Sequence, residues 1–503
     1  MCRQMSKLDR FFQKLKHYPF SEKMLICRSY ALNLMQYDHL EILENMKTSP
    51  LPWELEAFAE LSILSEEEPS THSLWKDQSI FNDIVNYARN YMHPYLKSKI
   101  GTEEFANEYI MVVSMLQFKA QENIIDRLFR YDFFWNYSCN ELDMSSVFKK
   151  KFDGLEYDDF EKLAFLIYFF HQKEFYKASP ETCREIFLFL ASKYHACIEQ
   201  LKFKRSEFIS MQNEKNHGDI NNAIYGFNYL FSYPFIEDGK LTYLPLPYLL
   251  IDAVTESLLT RATFDDSRLR EKIGKYVAQS YIETILKSKR MYDEVVPEIK
   301  YSIGKNTIDS PDVQVRKQDY FCFIDTKLST PKLSLRQFCN EDEITTIDRY
   351  ASNICQLYNR INEFVDEKFY PFFEHVSIAR DKIWGIVVLL EYPFISKRKI
   401  YERVFEKLGI PEDSSEASFI KTNIKLTDFR DIEKIAFPSY DLFTVLVDDQ
   451  QQKANWANYA LYSETLFKDQ SPHRIPLVEQ FFEKINTVIE KTTYEMQQNG
   501  ILQ

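Results

Sequence analysis

Apolar and polar residues recur with a helical period through most of the first half of the chain. In TEEFANEYIMVVSMLQFKAQENIIDRLF, residues 102–129, Phe105, Tyr109, Val112, Leu116, Ile124 and Leu128 follow one another in steps of three, four or eight, which predicts a single apolar stripe. In SPETCREIFLFLASKYHACIEQLKF, residues 179–203, Ser179 reads as an N-cap and Pro180 as a first helical residue, with Ile186, Leu190, Cys197 and Leu201 facing one way. Residues 213–219, NEKNHGD, read as a polar loop, and YPFIEDGKLTYLPLP, residues 233–247, as a hairpin turning at Asp-Gly.

After Arg261 the period changes. DDSRLREKIGKYVAQSYIETILKS predicts an amphipathic helix. PEIKYSIGKNTIDSPDVQVRKQDYFCFIDTK then alternates with a period of two, with turns at 304–306 and 316–319. A helix around ITTIDRYASNICQLYNRINEFVDEKF follows, then IWGIVVLLEYP as a buried strand, KRKIYERVFEKLG as a helix, NIKLTDF as a strand and DIEKIA as the start of another helix. This order predicts an αβα sandwich with a mixed sheet, embedded in a mainly α protein. The boundaries expected are a helical region at 1–262, the α/β domain at 263–440 and a helical tail at 441–503.

A chain of 503 residues exceeds one ordinary core, and 41 Phe and 32 Tyr against only 10 Gly favour long helices over a turn-rich β fold. The formal charge of −13 offers no overall attraction for phosphate, so a nucleic-acid partner would need a local basic groove. The eight cysteines are scattered without a CxxC pair, which points to free thiols in a reducing cytoplasm. The longest apolar run, Leu163 to Phe170, is far short of a membrane span. No GxxxxGK[ST], HExxH or GxSxG pattern occurs.

The candidate chemistry lies in DSPDVQVRKQDYFCFIDTK, residues 309–327. If the turn at 316–319 closes a hairpin, Asp312 and Asp325 become neighbours at one sheet edge. Two adjacent carboxylates repel unless a proton or a hard cation lies between them. Mg²⁺ takes such oxygen ligands, polarises phosphoryl oxygens and activates water, and the carbonyl of Thr326 is a further candidate ligand. Lys327, two residues past Asp325, shares its face of the strand and can neutralise charge on a phosphate.

Pro311-Asp312, twelve intervening residues and then Asp325-Thr326-Lys327 resemble the motif of the PD-(D/E)xK nuclease superfamily, over about residues 263–440. The resemblance implies a restriction-endonuclease-like core, Mg²⁺ or Mn²⁺ as cofactor, and hydrolysis of nucleic-acid phosphodiesters, DNA favoured over RNA. In that family the preceding helix often contributes a glutamate. Here Gln279 stands in that place, with Glu283 one turn later and Glu298 on the first strand as alternative sources of the missing charge. Between residues 300 and 338 seven cations face four acids, and Lys305, Arg316, Lys317, Lys332 and Arg336 are the candidate phosphate contacts, with Ser329 and Thr330 as further donors. By analogy with bacterial restriction and anti-phage defence proteins, residues 1–262 are expected to sense or bind a protein partner, and a homodimer is expected for cutting both strands. The competing expectation is a non-catalytic helical scaffold carrying a degenerate nuclease-like domain.

Overall fold

The computed structural model describes residues 6–35, 49–65, 67–68, 72–117, 123–171, 180–215, 224, 226, 228–332, 335, 340–393, 395–438, 440–453 and 474–502. The protein is mainly α-helical, with an α/β domain embedded in its second half. Among the described residues no helix is long and apolar enough to cross a membrane.

The elements that build the core are, in chain order, helix α1 (Ile124–Asn136), helix α2 (residues 267–288), strand β1 (Glu294–Pro297) and a small hairpin of β2 (Lys300–Ile303) and β3 (Asn306–Asp309). Strands β4 (Val313–Lys317) and β5 (Tyr320–Lys327) precede helix α3 (Asn340–Val365) and strand β6 (Ile383–Leu389). Helices α4 (Lys397–Leu408) and α5 (Ser415–Asn423) lead to strand β7 (Ile424–Asp428), helix α6 (Phe429–Ala436) and the terminal helix α7 (Pro476–Gln498).

The sheet order is β7-β6-β5-β4-β1, with β5, β6 and β7 parallel and β4 antiparallel to both of its neighbours. The side-chain period of two sorts the strands into two faces. Val313, Val315, Cys322, Ile324, Trp384, Ile386 and Val388 pack against α1, α2, α6 and α7. Phe321, Phe323, Ile383, Val387, Leu389 and Ile424 pack against α3, α4 and α5. All seven residues of β6 are buried, as its uninterrupted apolar run predicts for a strand covered on both sides. At Gly385 an added Cβ would come within 2.9 Å of Leu357 and 3.0 Å of Ile361, so α3 lies directly on the sheet there.

The apolar layer on the α2 side draws on residues from Leu128 to Met496 and so runs across positions 262 and 440. A separate cluster joins residues 8–85 to Phe208, Leu230, Ile236, Leu246 and Leu249. Within the larger layer sits a buried charged group. Arg130 of α1 donates twice to Glu433 of α6 at 2.6 Å, and the Tyr281 hydroxyl of α2 donates to the same carboxylate at 2.6 Å, all three residues being buried.

Several local expectations need correcting. The stripe from Phe105 to Leu128 falls on two helices, Glu103–Gln117 and Ile124–Asn136, because Asn123 caps the second through the backbone N–H groups of Ile125 and Asp126. The helix after Pro180 breaks at Tyr194 and restarts at His195, while Ser179 and residues 216–219 of the polar loop lie outside the described residues. The turn expected at 316–319 is tighter: Lys317 pairs with Tyr320, leaving Gln318 and Asp319 as the loop, with Gln318 at φ 57°.

Removing one partner of the Arg130–Glu433 pair strands a charge in an apolar layer. Glu433→Ala is therefore expected to cost about 3–5 kcal/mol in urea unfolding, and the double replacement Arg130→Met/Glu433→Leu clearly less.

Candidate active site

Asp312 and Asp325 meet as the hairpin reading requires. Val313 pairs with Ile324, and one step further along that register Asp312 lies opposite Asp325 at the end of the sheet from which β5 and β6 exit. Both are buried, at 8% and 3% exposure, which forces each carboxylate to find partners inside the protein. Asp312 finds three. Its Oδ2 accepts from the backbone N–H of Thr326 at 2.6 Å and from the Thr326 hydroxyl at 2.7 Å, and its Oδ1 accepts from Gln279 Nε2 at 2.5 Å. Asp325 finds fewer: its Oδ2 is buried with no hydrogen-bond partner, and Lys327 Nζ stands 3.8 Å away.

Burial first, and the Asp325 charge second, push the Asp312 carboxyl up to about 6, against the pull of Lys327 and the Thr326 hydrogen bonds. Lys327 moves upward as well. Burial alone would lower it, but Asp325, Asp312 and Glu298 outweigh that, so its ammonium stays charged. Glu298 sits just past β1, with its carboxyl raised by burial and by the charges of Asp309 and Asp312, and Lys275 of α2 lies 3.6 Å from it.

Helix α2 delivers Gln279 through an irregularity. A π-helical segment, Ile273–Ala278, ends immediately before it, and Gln279 starts the regular helix beyond. The wider turn shifts the phase of the residues that follow, a device common at functional sites. Gln279 meets Asp312 with an amide donor where a glutamate would have brought a third negative charge. The site therefore holds two close carboxylates, and Gln279 relieves the charge of one.

The other residues singled out from the sequence are placed differently. Glu283, one turn beyond Gln279, gives its carboxylate to Lys287 and not to the Asp312 cluster. Thr326, expected as a carbonyl ligand, uses its N–H and hydroxyl to hold Asp312. Arg316 is buried and bound to Glu294 at 2.8 Å, and Lys317 pairs with Asp441 at 3.0 Å. Both lie toward the turn end of the hairpin, about 14 and 17 Å along the strand from Asp312, so neither is a phosphate contact for this site. Lys332 is committed to Asp342 at 2.5 Å, Lys305 is exposed on the two-residue turn between β2 and β3, and Arg336 lies outside the described residues.

The residues present fit a divalent ion. Asp325 carries a buried, unpartnered carboxylate oxygen beside a second carboxylate, which is the donor set Mg²⁺ or Mn²⁺ takes while keeping several waters. Asp312, Asp325 and Glu298 do not form a closed triad. Among the described residues the one group of three carboxylates whose oxygens lie within 4.8 Å of one another is Asp132, Asp158 and Glu161. That group encloses Lys484 Nζ, at 2.6, 3.0 and 2.9 Å, so an ammonium already answers its charge. Sequence reading missed it: Asp158 and Glu161 show a helical spacing of three, but nothing local links them to Lys484 of α7.

Burial, with Asp132 next in weight, pushes the Glu161 carboxyl up to about 8 from an ordinary 4.5. The folded chain therefore holds a proton that the unfolded chain releases, and this contribution to stability is full below about pH 4.5 and lost as pH rises through about 8. Urea unfolding across that window is expected to show a smaller fall in stability for Glu161→Gln than for the wild type. Millimolar Mn²⁺ is expected to raise the thermal midpoint of the wild type and not that of Asp325→Asn, read by differential scanning fluorimetry.

No protein-family model, no curated protein and no solved structure matches this chain.

Proposed function

We propose that the protein is a metal-dependent nuclease that hydrolyses phosphodiester bonds, with DNA as the favoured substrate. One observation carries the reading: two buried carboxylates lie opposite each other at a sheet end, one with an oxygen left unpartnered, beside a lysine held in its charged form. Asp312 and Asp325 are the residues that would hold Mg²⁺ or Mn²⁺, and the ion when bound supplies a Lewis acid for a phosphoryl oxygen.

The chain's own groups have separable roles. Thr326 and Gln279 fix the orientation of Asp312 through three hydrogen bonds. Asp325 Oδ2 makes no hydrogen bond and has the Lys327 ammonium 3.8 Å away, which leaves it available to a cation. Lys327 stays protonated, so it acts as a positive charge near a phosphate or its attacking water rather than as a general base. Residues 1–262 fit a sensing or partner-binding role, and two such sites in a homodimer would cut both strands. A cytoplasmic role in restriction or anti-phage defence follows from analogy of layout.

A second reading, a non-catalytic scaffold, draws on the Gln279 amide that stands where a third carboxylate would serve. The two readings separate in one assay. Incubation with plasmid, single-stranded DNA and RNA in Mg²⁺ or Mn²⁺ is expected to give cleavage, of DNA above all, that EDTA abolishes. Asp325→Ala and Lys327→Ala are each expected to reduce it at least about a hundredfold at unchanged folding, and Gln279→Ala to cost less than Asp312→Ala. Activity surviving at Asp325→Ala would remove the site from consideration. Wild-type inactivity on DNA and RNA would favour the scaffold.

A further inference from the structure

Helix α2 carries a row of cations that ends at the site. Arg268, Lys272 and Lys275 follow one another at spacings of four and three, and Gln279, bonded to Asp312, comes four residues later. The spacing of four puts Arg268 and Lys272 on one side of the regular first turns, and the π-helical segment Ile273–Ala278 carries Lys275 and leads on to Gln279. The three cations are exposed, while Leu269, Ile273 and Val277 are buried against the core. Lys275 lies 3.6 Å from Glu298, and Glu298 in turn acts on Lys327, so the row reaches the carboxylate cluster.

The row is held rigidly relative to that cluster. Arg270 donates to the Leu328 carbonyl at 3.1 and 3.2 Å and to the Thr330 hydroxyl at 3.2 Å, which ties the first turns of α2 to the chain leaving β5 just after Lys327. Gly274 faces Leu328 with room for only an ordinary contact.

Two of the three cations stand without an ion-pair partner, Lys275 being 3.6 Å from Glu298. In a chain with 75 acids and 62 Lys and Arg, carboxylates are plentiful, and Arg316, Lys317, Lys332, Lys287 and Lys382 are all ion-paired. Among the described residues Arg268 and Lys272 have no such partner, and Glu271 is the one acid between 267 and 275. From Arg268 to Lys272 the regular helix rises about 6 Å, close to two phosphate steps along one strand of a duplex.

We propose that the exposed face of α2, through Arg268, Lys272 and Lys275, binds the phosphodiester backbone of a nucleic-acid strand and leads it to Asp312 and Asp325. The identity of the ligand rests on the nuclease reading above. Contacts of this kind position a strand without reading its sequence and release counterions, so binding is independent of sequence and weakens steeply with salt.

The test uses the full chain in EDTA with a fluorescein-labelled 20-mer, as a duplex and as a single strand, across a salt series. Arg268→Ala/Lys272→Ala is expected to weaken binding about tenfold or more. It should also flatten the slope of log affinity against log salt by about 1.8 for the duplex and about 1.4 for the single strand. Lys150→Ala/Lys151→Ala removes the same charge from an exposed helix end elsewhere and should leave the slope as it is. Asp325→Asn should bind with the wild-type slope. With Mg²⁺ present, Arg268→Ala/Lys272→Ala should raise KM with kcat near the wild-type value. A wild type that cleaves while the α2 variant keeps the full slope overturns the α2 track alone. Binding that depends on α2 with no cleavage by any preparation overturns the nuclease reading alone. A wild type that neither binds nor cleaves overturns both.

Discussion

The pairing of β4 with β5 is the constraint on which the site depends. Side chains on a strand alternate faces, so a slip of one residue would send Asp325 and Lys327 to the opposite side of the sheet. Several features prevent that slip. Val313, Val315, Cys322 and Ile324 fill the layer toward α2, while Phe321 and Phe323 fill the layer toward α3. The hairpin loop is only two residues long, and β5 is hydrogen-bonded to β6 on its other edge. Apolar burial on two faces thus holds in place a pair of buried carboxylates that repel each other.

That repulsion has a structural answer on one side only. Asp312 receives three donors from Thr326 and Gln279, whereas Asp325 is left with a distant ammonium and an unpartnered oxygen. An asymmetry of this kind destabilises the fold locally. The Arg130–Glu433–Tyr281 group is the contrasting case. It is equally buried, its charges are matched, and it joins α1, α2 and α6 across 303 residues of the chain.

Much of this architecture is legible without coordinates. Seven consecutive apolar residues in β6 have no other comfortable place than a covered strand, and Gly409, at φ 66°, ends α4 where the sequence ends its stripe. The aspartate pair is legible because a hairpin is a local structure, and counting back from a tight turn gives its partners. The basic residues of the same segment are not legible in that way. Arg316 and Lys317 look like phosphate contacts by proximity in sequence, yet the same hairpin that joins Asp312 to Asp325 carries them to its other end, where Glu294 and Asp441 neutralise them.

The sequence by itself determined the elements, their faces and the meeting of two carboxylates with a lysine, because each depends on a periodicity of two or 3.6 and on one short turn. Tertiary structure alone decided which charges remain available. Lys332 turns to Asp342, Lys484 enters a cage of three carboxylates contributed by α1 and the Tyr157–Phe170 helix, and Gln279 reaches Asp312 from a helix 33 residues away. Ion pairing follows distance in space, and no local pattern encodes a partner that packing brings in from elsewhere.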